Sequence, residues 1–215
     1  MIQLHHFPST ASMVPHILLE ELSVPHEKVL VDRSQDVNKT TAFLRLNPNG
    51  LIPVLTDGDL VLYETAAICL HLCDTHAQAH MAPPLGSAER AHFYKWLMWL
   101  SNTLQPTLSV WFYPERWVDA GNTSGAQQVR HHAELRVNLL LKQLDTELGR
   151  HGLPWLLGEA YSAVDPYVFT LCRWTRSFAS PARDKRHLGP YLNRMLQRPA
   201  VQRVLAHEGL EPPYV

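Results

Sequence analysis

Cysteine is scarce in this chain, with three among 215 residues. So few cannot build a disulfide framework, and a reducing cytoplasm is the expected compartment. No C-x-x-C pair occurs, which argues against disulfide exchange by the chain's own thiols. Excess charge is absent too: 19 Lys+Arg stand against 20 Asp+Glu, a formal net charge of -1. Without a basic stripe to meet phosphates, nucleic acid is not expected as the main partner. No apolar run approaches the ~18 residues that a membrane span needs. The opening MIQLHHFPST is too polar, and lacks the basic flank, for a secretory signal. Neither an internal repeat nor a low-complexity segment is present. What remains is 46 % apolar residues, ample for the core of one large domain or two small ones.

The first eighty residues alternate strand and helix patterns. Ile2 to Phe7 reads as a strand, and Ser12 to Leu22 as a helix with Ile17, Leu18, Leu19 and Leu22 toward a core. Glu27 to Val31 reads as a second strand, and a short helix follows near Thr40 to Leu46. Two further strands, at Pro53 and at Leu60 to Tyr63, lead into a helix over Glu64 to Thr75. This βαβ then ββα order is that of a thioredoxin-like α/β fold. His76 to Ser87 breaks every periodicity with two prolines and a glycine and reads as a linker. Beyond it the pattern is helical: Ala88 to about Trp117 with a kink at Pro106, then Gln127 to Arg150. Ser162 and Asp165 form a candidate capping box opening a buried helix that runs to about Phe178. Shorter helices are expected near Tyr191 and Pro199. The expected domains are therefore 1–78, α/β, and 88–215, all-α, joined by residues 79–87.

The segment NPNGLIPVLTDGDLVLYETAAI, Asn47 to Ile68, carries the most chemistry. Pro53 has no N–H to donate to a ladder, so it belongs at a strand's start or on its edge. Neighbouring backbone groups are then free to pair outside the protein. The helix opened by Glu64-Thr65 presents free N–H groups and partial positive charge, which suits a carboxylate. A free backbone segment and a helix start together can hold a small acidic peptide. Alternatively, Thr65 is an ordinary N-cap satisfying its own helix.

This arrangement resembles the glutathione site of the glutathione transferase superfamily. The layout of the whole chain is similar to that family's thioredoxin-like N-terminal domain and all-helical C-terminal domain. The resemblance implies a cis Ile52-Pro53 bond and glutathione as co-substrate, with no metal. Glu64 and Thr65 would hold the γ-glutamyl group, and Ile52 would pair with the cysteinyl part in the direction set by Pro53. Lys39 matches a basic residue near the glycyl carboxylate. Leu51 departs from the pattern, since many relatives carry glutamine or lysine there. The resemblance also implies a homodimer, with the helices Glu64 to Thr75 and Ala88 to Trp117 flanking the two-fold axis.

Glutathione's thiol is largely protonated at neutral pH, and only the thiolate is a good nucleophile. A hydroxyl beside a helix N-terminus favours the charged form. The loop Pro8-Ser9-Thr10-Ala11-Ser12 offers three. Alignment with the serine-using theta- and zeta-like classes puts Ser9 at their catalytic serine, while Thr10 and Ser12 remain competing donors. The cysteine of beta-like relatives would fall at Ala11 and the tyrosine of alpha- and mu-like ones at His6.

The electrophile's pocket is expected between the domains, with Trp111, Tyr113 and Arg116 as its candidate lining. Cys69, Cys73 and His76 share a helical face, but a helix packed on a sheet commonly buries cysteine as a small hydrophobe. No metal site is expected from them, nor from the thirteen histidines. The expected function is a glutathione transferase acting on a small hydrophobic electrophile. Two alternatives stand beside it: a glutathione-dependent disulfide or peroxide reductase or isomerase, and a non-catalytic transferase-like binding protein.

Overall fold

A computed structural model describes all 215 residues. Four strands form one sheet in the order β2-β1-β3-β4, with β1 at Ile2–His6, β2 at His26–Leu30, β3 at Val54–Asp57 and β4 at Leu60–Tyr63. β1 and β2 run parallel, while β3 is antiparallel to both of its neighbours. The helix α1 (Met13–Glu21) supplies the parallel crossover, with Met13, Val14, Ile17 and Leu18 fully buried. A short α2 (Thr41–Leu46) starts at Thr40, whose hydroxyl accepts from Phe43 N–H. α3 (Thr65–Thr75) completes this half, burying Ile68, Cys69, Leu72 and Cys73. Cys69 and Cys73 are therefore packing residues.

β3 is an inner strand, so the first of the two sequence-based options for Pro53 holds: it precedes the strand, which begins at Val54. The Ile52-Pro53 peptide is cis.

Beyond residue 87 all regular structure is helical: α4 (Ala88–Trp99), α5 (Gln105–Phe112), α6 (Thr123–His151), α7 (Val164–Arg173), α8 (Leu188–Leu196) and α9 (Pro199–His207). The single kinked helix expected from Ala88 to Trp117 is instead interrupted twice. A π-helical turn at Leu100–Leu104 separates α4 from α5, and a 3-10 turn at Pro114–Trp117 ends the run. Pro106 lacks an N–H and its ring crowds the carbonyl four residues back, which the wider turn relieves. α6 begins four residues earlier than its apolar pattern, because Asn122 caps it by accepting from Gly125 N–H. It ends at Gly152, where φ of 65° needs no Cβ penalty.

The expected capping box is half present. Asp165 reaches back to Ser162 N–H at 2.8 Å, but the Ser162 hydroxyl donates to that same carboxylate and caps no backbone N–H. The chain enters α7 through Ala163 already in helical geometry, which leaves the hydroxyl no free N–H to accept from. α7 stops at Arg173, short of Phe178, where Thr175 turns its hydroxyl onto the Cys172 carbonyl at 2.7 Å. One buried apolar cluster joins both halves through α1, α3, α4 and α7.

Candidate active site

Strand register brings the sequence-predicted residues to one end of the sheet. His5 is opposite Val54, and Val54 is opposite Tyr63. The loop leaving β1, the Ile52-Pro53 entry into β3 and the Glu64 exit from β4 therefore lie side by side. β2 ends there too, with His6 opposite Leu30, and leads to Arg33 and the Lys39 turn.

The hydroxyl loop is sorted by its hydrogen bonds. Thr10 Oγ1 donates to the Phe7 carbonyl at 2.7 Å, and Ser12 Oγ donates to the same carbonyl at 3.1 Å. The two hydroxyls are also 2.9 Å apart, and Ser12 is fully buried. Both protons are thus committed inside the loop. Ser9 differs. Its Oγ accepts from Arg173 Nη2 at 3.1 Å and has no acceptor of its own in the protein. A hydroxyl that accepts from a guanidinium still has a proton to donate.

Three residues of the helical half grip Ser9. Glu208 Oε2 accepts its N–H at 2.8 Å, Trp174 Nε1 donates to its carbonyl at 3.1 Å, and Arg173 holds the hydroxyl. Together they hold Ser9 at φ 61°, a left-handed backbone that few non-glycine residues adopt. Arg173 is buried, donates its Nη1 to the Tyr214 carbonyl at 2.6 Å, and has no partner for Nε. Burial, with Arg176 nearby, pulls its pKa down to about 10, so it stays cationic at neutral pH. A fixed positive charge therefore stands directly behind the Ser9 hydroxyl.

Ile52 has no hydrogen-bond partner for either its N–H or its C=O, whereas Leu51 C=O is taken by Asn47 Nδ2 at 2.8 Å. At the start of α3 the cap residue is Glu64, with φ 74°, and no side chain satisfies the first turn. The ordinary N-cap reading of Thr65 is thereby corrected: Thr65 is the first helical residue and is buried. The exposed Glu64 carboxylate and the open first-turn N–H groups form one polar corner.

Lys39 is exposed and pairs with Asp36 at 2.9 Å. Tyr113 crosses to the sheet half, its hydroxyl accepting from Arg33 Nη2 at 3.0 Å, while the Arg116 guanidinium lies 4.2 Å from its ring centroid. Trp111 does not join them. Its Nε1 donates to Glu134 of α6 at 3.0 Å and its ring packs on Phe178. The neighbouring Phe112 instead meets Trp174 edge to face at 6.0 Å, so Trp174 links Ser9 to the aromatic patch.

Arg173, Trp174 and Glu208 were missed by sequence reasoning. They lie 164 to 199 residues from Ser9 along the chain, and no local pattern marks them. An arginine at the end of a mostly apolar helix was the one available hint.

A family model described as "Glutathione S-transferase, N-terminal domain" matches residues 8–75. The chain is 28 % identical over 215 residues to glutathione S-transferase GST-4.5 of Xanthomonas campestris pv. campestris, covering 97 % of this chain and 100 % of that one. A solved sphingomonad glutathione S-transferase complexed with glutathione is 30 % identical, with a TM-score of 0.83 over 97 % of this chain and 100 % of that one. A glutathione transferase homologue from Sulfitobacter with bound glutathione superposes at a TM-score of 0.88 over 98 % of this chain and 99 % of that one. At 23 % identity it speaks to fold alone.

Proposed function

The chain belongs to the glutathione S-transferase superfamily, and from that premise we propose that it activates glutathione for attack on a small hydrophobic electrophile. Residues 1–78 bind glutathione, 79–87 link, and 88–215 receive the electrophile. The γ-glutamyl carboxylate takes the open N–H groups at Thr65, where the helix dipole favours it, and the Glu64 carboxylate takes the amino group. The free N–H and C=O of Ile52 pair with the cysteinyl residue, in the manner of an added strand. Lys39 exchanges its exposed Asp36 partner for the glycyl carboxylate.

One observation carries the assignment of Ser9: it is the hydroxyl of the loop whose proton is uncommitted, and Arg173 polarises it from behind. Donation to the sulfur stabilises charge present on the thiolate and nearly absent on the thiol. The thiolate then attacks the electrophile, and the leaving group or a proton from water closes the balance. Tyr113 and Arg116, with Phe112 and Trp174, line the acceptor side, and Trp111 supports them from behind. Three buried, unpaired cysteines fit a reducing cytoplasm. The exposed Tyr94 and Met98 of α4 support a homodimer across α3 and α4.

Glutathione at ~100 times its dissociation constant should stabilise the fold by about 2.7 kcal/mol. Joint Glu64→Ala and Thr65→Ala substitution should remove most of that gain in a thermal or chemical melt. A wild-type midpoint unmoved by millimolar glutathione would sink the proposal.

A further inference from the structure

A second polar cluster lies behind the Ser9 loop. His16 and Glu20 stand four apart on α1 and face His26 at the start of β2, and one ligand atom from each lies within 4.8 Å of the others. The sequence had suggested no metal site, because the second histidine, His26, joins His16 and Glu20 only once the α1–β2 turn closes. His16 is fully buried, and its Nδ1 contacts Glu208 Oε1 at 3.0 Å. The Nδ1 of His26 contacts the Val24 carbonyl at 2.9 Å. Each ring therefore has Nε2 left over, and that of His16 is buried with no partner at all.

A buried imidazole nitrogen without a partner is costly, and it is a ligand atom awaiting an acceptor of its lone pair. Metal-binding histidines characteristically donate their other ring N–H to a carboxylate or a backbone carbonyl. His16 does the first and His26 the second. The carboxylate of Glu20 is likewise braced, by Arg203 Nε at 2.6 Å, and His207 Nδ1 is 3.8 Å from its other oxygen. An open surface cavity of about 370 Å³, bounded by Glu20, His26 and Arg203, gives an entry path.

From this juxtaposition we propose that His16, Glu20 and His26 form a binding site for a late divalent transition cation of the zinc type. Two imidazoles and one carboxylate suit zinc, cobalt or nickel and not magnesium or calcium, which prefer oxygen. Bonds of about 2.1 Å to a tetrahedral ion place ligands ~3.4 Å apart. Rotation of the half-buried Glu20 and His26 side chains closes the set onto the fixed His16. The fourth position opens into the cavity, for water or for His207. Arg203 carries positive charge beside the site, and the Glu20 and Glu208 carboxylates offset it. The site does not depend on the glutathione reading, although Glu208 joins it to Ser9 N–H through two hydrogen bonds.

The test is a titration of chelator-treated full-length protein with Zn²⁺ by calorimetry, and with Co²⁺ by absorbance. One ion per chain is expected, with a cobalt ligand-field band and no thiolate charge-transfer band. Glu20→Gln and His26→Ala, both at half-buried positions that should leave the fold intact, should each weaken binding at least ~tenfold. His131→Ala/His132→Ala, on the exposed face of α6, should leave it unchanged. No binding at millimolar Zn²⁺ would overturn the proposal. So would wild-type affinity in Glu20→Gln and His26→Ala, or a cobalt–thiolate band.

Discussion

Ser9→Ala removes the proton donor proposed for the thiolate and also strips Arg173 Nη2 of its acceptor at 3.1 Å. The two losses separate. A charge-assisted hydrogen bond is worth roughly 1.5–3 kcal/mol, so turnover should fall about ten- to a hundredfold. At 1.36 kcal/mol per unit, the bound thiol's pKa should rise by about 1–2 units. Leaving the buried guanidinium short of one partner should add a stability cost of about 1–3 kcal/mol. Ser9→Gly tells the hydroxyl from the backbone. Glycine adopts φ 61° freely, so it should recover about 1 kcal/mol of stability over alanine and none of the lost turnover. The assays are turnover with an activated aryl halide, ultraviolet titration of the bound thiolate, and a denaturant melt. Glutathione affinity should stay nearly constant, because the anchors at Ile52, Glu64 and Thr65 remain. Wild-type turnover and thiol titration in both variants, with only stability reduced, would show that Ser9 is an interdomain anchor and would refute the mechanism.

Asp165→Ala should destabilise the fold on the order of 3 kcal/mol, about 6–12 °C in Tm for a chain this size. Its buried carboxylate accepts from Leu156 N–H, Ser162 N–H and O–H, and Tyr191 O–H, and a Tm within 2 °C of wild type, roughly the effect of 1 kcal/mol or less, would contradict that account. Burial holds the pKa of His5 and of His6 below the ordinary 6.5. The unfolded chain therefore takes up protons near 6.5 that the folded one refuses, so stability is full above that pH and is lost as pH falls through the two folded values. Denaturant midpoints in chelating buffer should drop between pH 7.5 and 5, with a smaller drop in His5→Gln/His6→Gln; equal midpoints in the wild type would count against it. The three thiols are buried, and burial, followed by the Asp74 charge, raises that of Cys73 to about 12. An aromatic disulfide reagent should find none of them quickly in the native protein and all three in denaturant; a fast thiol in the native state would show that the core around α3 opens.

The layout of strands and helices was legible because it rests on local rules. Apolar runs broken by turn residues gave the four strands, and the helices expected near Thr40 and from Ala88 begin where the Thr40 and Ser87 hydroxyls accept from Phe43 and Arg90 N–H. The Ile52-Pro53 and Glu64-Thr65 pair could likewise be singled out, since a missing donor and an opening helix are properties of neighbouring residues. Where the expectation failed, the competing force was local but quantitative: the π-helical turn before Pro106 and the donation by Ser162 depend on backbone angles that residue types do not specify. Among Ser9, Thr10 and Ser12 the residue types are equivalent, and only the family resemblance singled out Ser9. In the fold they differ: Thr10 and Ser12 share the local Phe7 carbonyl as acceptor, while Ser9 is held by Arg173, Trp174 and Glu208 from the far end of the chain. The same holds for His16, whose Nδ1 meets Glu208 at 3.0 Å while its Nε2 is buried without a partner. Residue order determines which groups exist and which local elements they enter. Only packing of the helical half against the sheet determines which of those groups are left with a free proton or a free lone pair.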